Sequence, residues 1–246
     1  MSYDGAPDRS GEPSLSSLPL SAAFDASHAE VYDRQVEPLT SVKDALHLVL
    51  ASALRELPDG AVLLLVGAGT GAEARFLARV NPTWRFVLVD PSEPMLAVAR
   101  RHAAAEGFAD RCVFHAGFVS SLPDQPLDAA TSVLASHFVN DDAGRRAYYA
   151  DIARRLRPGA VLFEANLCAD RTAPAFETLM ELWLGVLGRA APMTGEKGST
   201  YRAAFGRDFA VHGPDVVEAM IAGAGFSPPV PCVQLALVRA WWARRR

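Results

Sequence analysis

The segment Val62–Gly71, VLLLVGAGTG, determines the fold class of this chain. Its first five residues are aliphatic, which is typical of a strand buried on both faces of a parallel sheet. Three glycines follow within five positions, and an apolar pattern with helical spacing begins directly after them. A buried strand that turns through glycines into a helix presents unpaired backbone N–H groups, so the segment predicts a nucleotide-type ligand site.

The second hydrophobic run, Phe86–Val89, ends in the carboxylate of Asp90. A carboxylate at the tip of the neighbouring strand can accept hydrogen bonds from two ribose hydroxyls. In the dinucleotide fingerprint G-x-G-x-x-G, the third glycine would occupy the position of Ala72, whereas here it comes one place early, at Gly71. This spacing disfavours NAD but does not exclude it, because alanine is sometimes tolerated at that position.

The G-x-G-x-G form, with Asp90 nineteen residues beyond Gly71, resembles motif I and the acidic loop of the class I S-adenosylmethionine-dependent methyltransferases. The L-R-P-G-x-x-L-F pattern at Leu156–Phe163 and the A-G-F at Ala224–Phe226 are similar to later signatures of the same superfamily. The resemblance extends from about Phe24 to the C-terminus. It implies S-adenosyl-L-methionine as the cofactor.

Within this family the chain looks closest to the branch that contains the carboxy-S-adenosylmethionine synthases. The similar motifs are Tyr32-Asp33, Asp90-Pro91-Ser92 and Ser136-His137-Phe138. In those synthases an arginine reaches the cofactor carboxyl group of a neighbouring subunit, and the spacing to Phe226 suggests Arg202 for this role. The resemblance thus implies a homodimer contact through residues 172–212.

The same resemblance predicts the cofactor site. Tyr32 stands where many such methyltransferases carry an aromatic residue near the cofactor carboxylate or the substrate. Met95 lies one turn beyond Asp90 and can pack against adenine. In this family an acidic residue after the third strand often contacts adenine. Ala116-Gly117 stands in its place here, so the backbone is expected to make the contacts with adenine. The predicted cofactor-binding residues are Tyr32, Gly67, Ala68, Gly69, Gly71, Asp90, Pro91, Met95, Gly117, Phe118, Val119, Val133 and Arg202.

His137 is the predicted catalytic residue. It follows the fourth strand at its carboxyl end, where ligands bind in open parallel sheets, and an imidazole titrates near neutrality. Alternatively, His137 lines the pocket or caps the following helix. His212, Tyr201 and Tyr32 are lesser candidates. Proximity alone suffices if the acceptor is already nucleophilic.

The predicted fold class is α/β: a Rossmann-like, doubly wound, seven-stranded, mostly parallel sheet with an antiparallel last strand, N-terminal helices that cover the cofactor cleft, and a helical lid. Residues 1–20 are expected to form a disordered tail. Residues 21–246 form a single domain with a cofactor-binding core at 60–168 and a lid insertion at 170–212. A very apolar helix from about Thr172 to Leu187 must be buried against the domain, another subunit or the substrate.

Individual elements are also expected from the pattern. Ser41 could cap the second N-terminal helix, and Arg157-Pro158-Gly159 should separate a helix from the fifth strand. The remaining expected elements are a helix from Ala22 to about Val36, strands at Arg111–His115, Leu127–Leu134 and Ala160–Leu167, helices at Asp141–Leu156 and Pro214–Ala224, and a hairpin at Val230–Ala243.

The bulk properties exclude several classes of protein. The formal net charge is −4 and the sequence has no basic stripe, which disfavours nucleic acid as a partner. Three scattered cysteines predict neither a disulfide framework nor a zinc site, and no metal is expected. No apolar run approaches the roughly 20 residues that span a bilayer, and the N-terminus has no secretion pattern. We therefore expect a cytoplasmic protein that does not enter membranes.

These features predict an S-adenosylmethionine-dependent methyltransferase (EC 2.1.1) that acts on a small-molecule acceptor. The alternative enzyme is a carboxy-S-adenosylmethionine synthase-like or tRNA-modification enzyme. The alternative of another class is a non-catalytic regulatory or interaction protein that keeps the fold as a binder.

Overall fold

The computed structural model describes residues 25–189, 192–208 and 210–246, so the expected tail at 1–20 lies outside the described residues. Seven strands form one sheet in the order β3-β2-β1-β4-β5-β7-β6. Strands β1 to β5 are parallel, and β7 runs antiparallel to both of its neighbours. The predicted fold class is confirmed. The strands are β1 (Val62–Val66), β2 (Arg85–Asp90), β3 (Cys112–Ala116), β4 (Leu127–Val133), β5 (Leu156–Leu167), β6 (Val230–Leu235) and β7 (Val238–Arg244).

Helices cover both faces of the sheet. One face packs against the early helices through residues such as Leu46 and Leu77 and also against the apolar helix of the 170–212 segment, and the other face packs against two later helices through Tyr149, Ile152 and Val217. Both clusters contain strand residues, because a parallel sheet is buried on two sides. The helices are α1 (Ala26–Gln35), α2 (Thr40–Ala53), α3 (Ala72–Val80), α4 (Glu93–Ala105), α5 (Asp142–Arg154), α6 (Phe176–Leu187), α7 (Gly195–Ala204) and α8 (Pro214–Gly223).

Two local expectations are wrong. Ser41 does not cap α2, which begins at Thr40 without a side-chain cap; the Thr40 hydroxyl instead donates to the Glu37 carbonyl oxygen over 2.7 Å. The Arg157–Gly159 segment does not end before β5 but lies within it. The reason is pairing with the C-terminus, since the Gly159 N–H donates to the Arg245 carbonyl oxygen at 2.7 Å.

The apolar helix of the 170–212 segment packs on its own domain. In α6, Met180, Trp183 and Leu184 are buried in the same cluster as the sheet residues, whereas Leu182 is 57% exposed. The Trp183 indole N–H donates to the Tyr201 hydroxyl over 2.7 Å and so joins α6 to α7. Across the described residues, no helix combines the length and the apolar character that crossing a membrane requires.

Candidate functional site

The glycine turn joins β1 to α3 and holds two neighbouring segments close together. Gly67, Gly69 and Gly71 have φ values of 66°, 52° and 84°, which favour glycine. The N–H groups of Gly67 and Ala68 both donate to the Val89 carbonyl oxygen, at 2.9 and 3.0 Å. A Cβ atom on Gly67 would lie 2.3 Å from the Cβ of Ala135. The turn is therefore fixed against the end of β2 and against the segment after β4.

Replacing Gly67 by alanine is expected to lower both the melting temperature and ligand affinity. The left-handed φ costs about 1–2 kcal/mol for an L-residue, and the contact with Ala135 adds a steric cost. The matched control is Gly60→Ala, because Gly60 has a φ of 73° but no atom within 4 Å of the added Cβ. Thermal unfolding should show a larger loss for Gly67→Ala, and equal losses would contradict the close approach.

Gly71 serves packing within this turn. It is the N-cap residue of α3, and a Cβ atom there would lie 3.2 Å from the Cβ of Ala99 in α4. This contact is the role that the third glycine plays in related turns, where it allows close packing. Gly71 does not line the cavity described below.

Asp90 connects the turn to the next helix. Its carboxylate is 9% exposed; Oδ2 accepts from the Gly69 N–H and Oδ1 from the Ser92 N–H, both at 2.9 Å. Burial raises the pKa of Asp90, and the two backbone hydrogen bonds act in the opposite direction. A carboxylate has about four lone-pair sites, so both oxygens can still accept hydroxyl groups of a ligand.

A cavity of about 500 Å³ lies at the carboxyl ends of the central strands. It sits where β1 and β4 are adjacent and the strand order reverses, which is where open α/β sheets bind ligands. The structure brings together at this cavity all of the predicted cofactor residues except Gly71 and Arg202. Those lining it are Tyr32, Gly67, Ala68, Gly69, Asp90, Pro91, Met95, Gly117, Phe118, Val119 and Val133.

Helix α1 closes one side of the cavity. Asp33 Oδ1 accepts a hydrogen bond from the Thr70 hydroxyl over 2.6 Å, so α1 is attached to the glycine turn. His102 Nδ1 lies 3.0 Å from the Thr70 carbonyl oxygen. Tyr32 packs against Met95, and burial, followed by nearby carboxylates, raises its pKa to about 12. Its hydroxyl group is therefore protonated at neutral pH and can donate a hydrogen bond.

His137 lies in the core rather than at the cavity. The chain adopts a left-handed φ of 55° at Leu134, and a short 3₁₀ helix, Ser136–Phe138, follows. This course puts Phe138 on the cavity wall and leaves His137 3% exposed and off it. Burial and, secondarily, Arg145 lower the pKa of His137 to about 3. The placement argues against the predicted catalytic role, because a buried imidazole of such low pKa is a weak proton acceptor.

The low pKa of His137 gives an expected pH dependence of stability. A histidine with a folded pKa of about 3 and an unfolded pKa near 6.5 favours folding above pH 6.5, and this contribution is lost as the pH falls towards 3. Wild type should therefore lose more stability than His137→Gln between neutral pH and about pH 4.5. Urea unfolding at both pH values measures this difference, and parallel losses would contradict the buried neutral imidazole.

Arg202 lies outside the cavity. Its guanidinium pairs with Glu177 over 2.7 Å and also bonds to Glu181, both on α6. No described residue between 170 and 212 lines the cavity. The cover seen in the structure comes from α1 and α2, and the roles predicted for Arg202 and for a lid at 170–212 stay predictions.

A buried polar network, which no sequence pattern indicated, joins β5, α5 and the turn after β4. Ser136 Oγ donates to Glu164 Oε1 at 2.5 Å, and Tyr149 and Asn166 donate to the same oxygen at 3.1 and 2.8 Å. Arg145, fully buried, donates to Ser136 Oγ over 3.0 Å. Burial raises the pKa of Glu164, whereas its hydrogen-bond partners and Arg145 oppose this shift. The network joins three separate segments, the turn after β4, helix α5 and strand β5, so no local pattern could have grouped its residues.

Comparison with known proteins supports the predicted methyltransferase resemblance for one segment of the chain. Residues 63–159, less than half of the chain, match the family described as a methyltransferase domain. This segment contains the glycine turn and Asp90. The resemblance to class I methyltransferases is confirmed, whereas the narrower branch of carboxy-S-adenosylmethionine synthases stays a prediction.

Individual proteins are similar over a larger part of the chain. The tRNA (carboxymethyluridine(34)-5-O)-methyltransferase of Arabidopsis thaliana is 24% identical over 187 residues, which are 72% of this chain and 43% of that protein. The chain spans 24% of another curated relative, so it covers less than half of either. The structure of phosphoethanolamine N-methyltransferase 2 of Haemonchus contortus, solved with S-adenosyl-L-methionine, has a TM-score of 0.64, 16% identity, and coverage of 90% of this chain and 46% of that chain.

An O-methyltransferase family protein of Burkholderia thailandensis gives a TM-score of 0.62, with 13% identity and coverage of 92% of this chain and 59% of that chain. Identities this low establish the shared fold and not a shared substrate.

Proposed function

We propose that this chain, whose residues 63–159 match a methyltransferase domain, transfers a methyl group from S-adenosyl-L-methionine to a small-molecule acceptor. The single observation that carries the proposal is the junction of the glycine turn with Asp90. There a buried carboxylate holds the Gly69 N–H and faces the cavity at the point where the strand order reverses.

The cavity lining fits this methyl donor. The two oxygens of Asp90 can accept the ribose hydroxyls, and the side chains of Met95, Phe118 and Val119 offer apolar surface for a flat purine. Phe118 is 60% exposed, so its ring is available for stacking. Gly67 and Gly69 keep the backbone free of side chains beside the ligand.

When bound, the sulfonium group supplies an activated methyl group for in-line displacement. The chain's contribution is to orient both ligands and to exclude water. Asp90 fixes the ribose, and α1 covers the turn through Asp33 and Thr70. His137 lies off the cavity and Tyr32 is protonated at neutral pH, so neither is suited to remove a proton from the acceptor. The proposal therefore favours an acceptor that is already nucleophilic.

A small-molecule acceptor is favoured by the size and the charge of the site. The cavity of about 500 Å³ has to hold the methyl donor as well as the acceptor, so the space left beside the donor suits a small acceptor. The net charge of −4 disfavours a polynucleotide. The second candidate is tRNA modification, which is favoured by the similarity to the Arabidopsis tRNA methyltransferase over 72% of this chain. A cytoplasmic location and a homodimer through residues 172–212 belong to the proposal and rest on the sequence alone.

Ligand binding tests the proposal directly. S-adenosylhomocysteine at 100 times its dissociation constant should stabilise the protein by about 2.7 kcal/mol, whereas NAD should not. Calorimetry and thermal unfolding measure both effects. Stabilisation by NAD alone would contradict the cofactor. Methyl transfer from labelled donor to unmodified tRNA, but to no small-molecule extract, would favour the second candidate.

A further inference from the structure

Lys43 is the only cationic side chain among the residues that line the cavity of the described structure. It belongs to a wall that we call the α1–α2 wall, formed by Tyr32, Asp33, Val36, Leu39 and Lys43. The wall faces the carboxyl ends of β1 and β4 across the cavity. Val36 and Leu39 make its middle apolar, and Lys43 follows them one turn into α2.

Four of the five acidic residues that line the cavity have a hydrogen-bond or ion-pair partner within the protein. Asp33 accepts from Thr70, and Asp90 accepts from two backbone N–H groups. Asp141 accepts from the Gly144 N–H, and Asp151 pairs with Arg154. The fifth acid is Glu73, whose Oε1 lies 3.5 Å from His47 Nε2. None of these carboxylates forms an ion pair with Lys43.

Lys43 differs from these acids because it has no hydrogen bond or ion pair with any residue that the structure describes. Its side chain is half-buried. A cation that is partly removed from water gains most from a nearby opposite charge, since the local dielectric constant is lower than in bulk water. The α1–α2 wall therefore offers one positive charge beside the apolar Val36 and Leu39, and its one carboxylate, Asp33, is hydrogen-bonded to Thr70.

We propose that Lys43 binds the carboxylate of an acidic acceptor whose remaining surface is mostly apolar. The proposal rests on the function proposed above and names the substrate class for that site. The N-terminus of α3, which carries Glu73 in its first turn, lies beside the glycine turn; its first backbone N–H groups suit the carboxylate of the methyl donor, and Glu73 suits the donor's amino group. Lys43 is then left for the acceptor, and Val36 and Leu39 provide the contact for its apolar body.

The lysine content of the chain allows a direct test, because Lys43 and Lys197 are its only lysines. Lys197 is exposed on α7 and does not line the cavity, so it is an internal control. The protein, saturated with S-adenosylhomocysteine, is acetylated with a lysine-selective reagent and analysed by mass spectrometry. The probes are two acids, benzoate and octanoate, each compared with its neutral amide.

At least one acid should slow acetylation of Lys43 by about tenfold relative to its amide, because a hydrogen bond to a charged group contributes roughly 1.5–3 kcal/mol. The rate at Lys197 should not change. Lys43→Met should abolish the preference for acid over amide in calorimetry, Lys43→Arg should retain it, and the control Lys197→Met should behave as wild type. All of these variants should bind S-adenosylhomocysteine as wild type does.

Two results would overturn the assignment. The first is equal acetylation of Lys43 with each acid and its amide. The second is protection by S-adenosylhomocysteine but not by 5′-methylthioadenosine, together with weaker S-adenosylhomocysteine binding by Lys43→Met. That pattern would assign Lys43 to the carboxylate of the donor. If wild type does not bind S-adenosylhomocysteine at all, the proposed function itself fails, so the two failures are distinguishable.

Discussion

Asp90→Ala is expected to lower the affinity for S-adenosylhomocysteine by about 100-fold or more. Two hydrogen bonds from ribose hydroxyls to a charged carboxylate contribute roughly 1.5–3 kcal/mol each, so their loss costs about 3 kcal/mol at least. Titration calorimetry measures this change. The substitution also removes the acceptors for the Gly69 and Ser92 N–H groups, so circular dichroism must first show that the variant is folded at the temperature used.

Asp90→Asn separates the binding effect from the structural one. Asparagine keeps the shape but only one acceptor oxygen, so it can still accept from the Gly69 N–H, while its NH2 group then faces the Ser92 N–H and the charge is lost. We expect an affinity between those of wild type and Asp90→Ala. Because burial raises the pKa of Asp90, wild-type affinity should also fall as the pH is lowered through that pKa and the carboxylate is protonated, and this fall should be absent from Asp90→Asn. Unchanged affinity in both variants would place the ribose elsewhere.

Arg145→Met is expected to reduce the free energy of unfolding by about 3–5 kcal/mol, which is the usual cost of removing one partner from a buried charged network. Arg145 is fully buried and donates to the Ala210 carbonyl oxygen over 2.7 Å. Its loss leaves that carbonyl without its donor and leaves the buried carboxyl group of Glu164 without a nearby positive charge. Urea unfolding at neutral pH measures the change.

The neighbouring arginine is the matched control for this experiment. Arg146 is exposed on the same helix, so Arg146→Met should change the free energy of unfolding by less than about 0.5 kcal/mol. The double variant Arg145→Met/Glu164→Gln should recover part of the loss, because the uncompensated charge is then absent. Equal destabilisation by the two single arginine substitutions would mean that the buried network contributes little.

The parts of the site that could be predicted are local in sequence. The glycine turn and Asp90 could be predicted because each lies directly at the end of a strand that is recognisable in the sequence. Gly117, Phe118 and Val119 could be predicted for the same reason, because they come directly after β3. Their position at the cavity needed only the rule that parallel strands end at one edge of the sheet.

The parts that could not be predicted depend on single backbone angles or on distant contacts. One left-handed residue, Leu134, decides that Phe138 rather than His137 faces the cavity, and leucine gives no signal for such an angle. The attachment of α1 through Asp33 and Thr70 joins residues 37 positions apart. The apolar pattern of α6 predicted the burial seen at Met180, Trp183 and Leu184, but it left open whether the domain, another subunit or the substrate covers the helix.

The bond between Asp33 and Thr70 has a kinetic consequence. In the proposed function the glycine turn on which α1 rests holds the methyl donor, so we expect the demethylated product to leave past this helix or after the helix has lifted. The hydrogen bond from the Thr70 hydroxyl to Asp33 then holds α1 against the turn, and we expect the residence time of the product to depend on how often this bond breaks. We therefore expect the pace of successive reaction cycles to follow the motion of α1 as much as the methyl transfer itself.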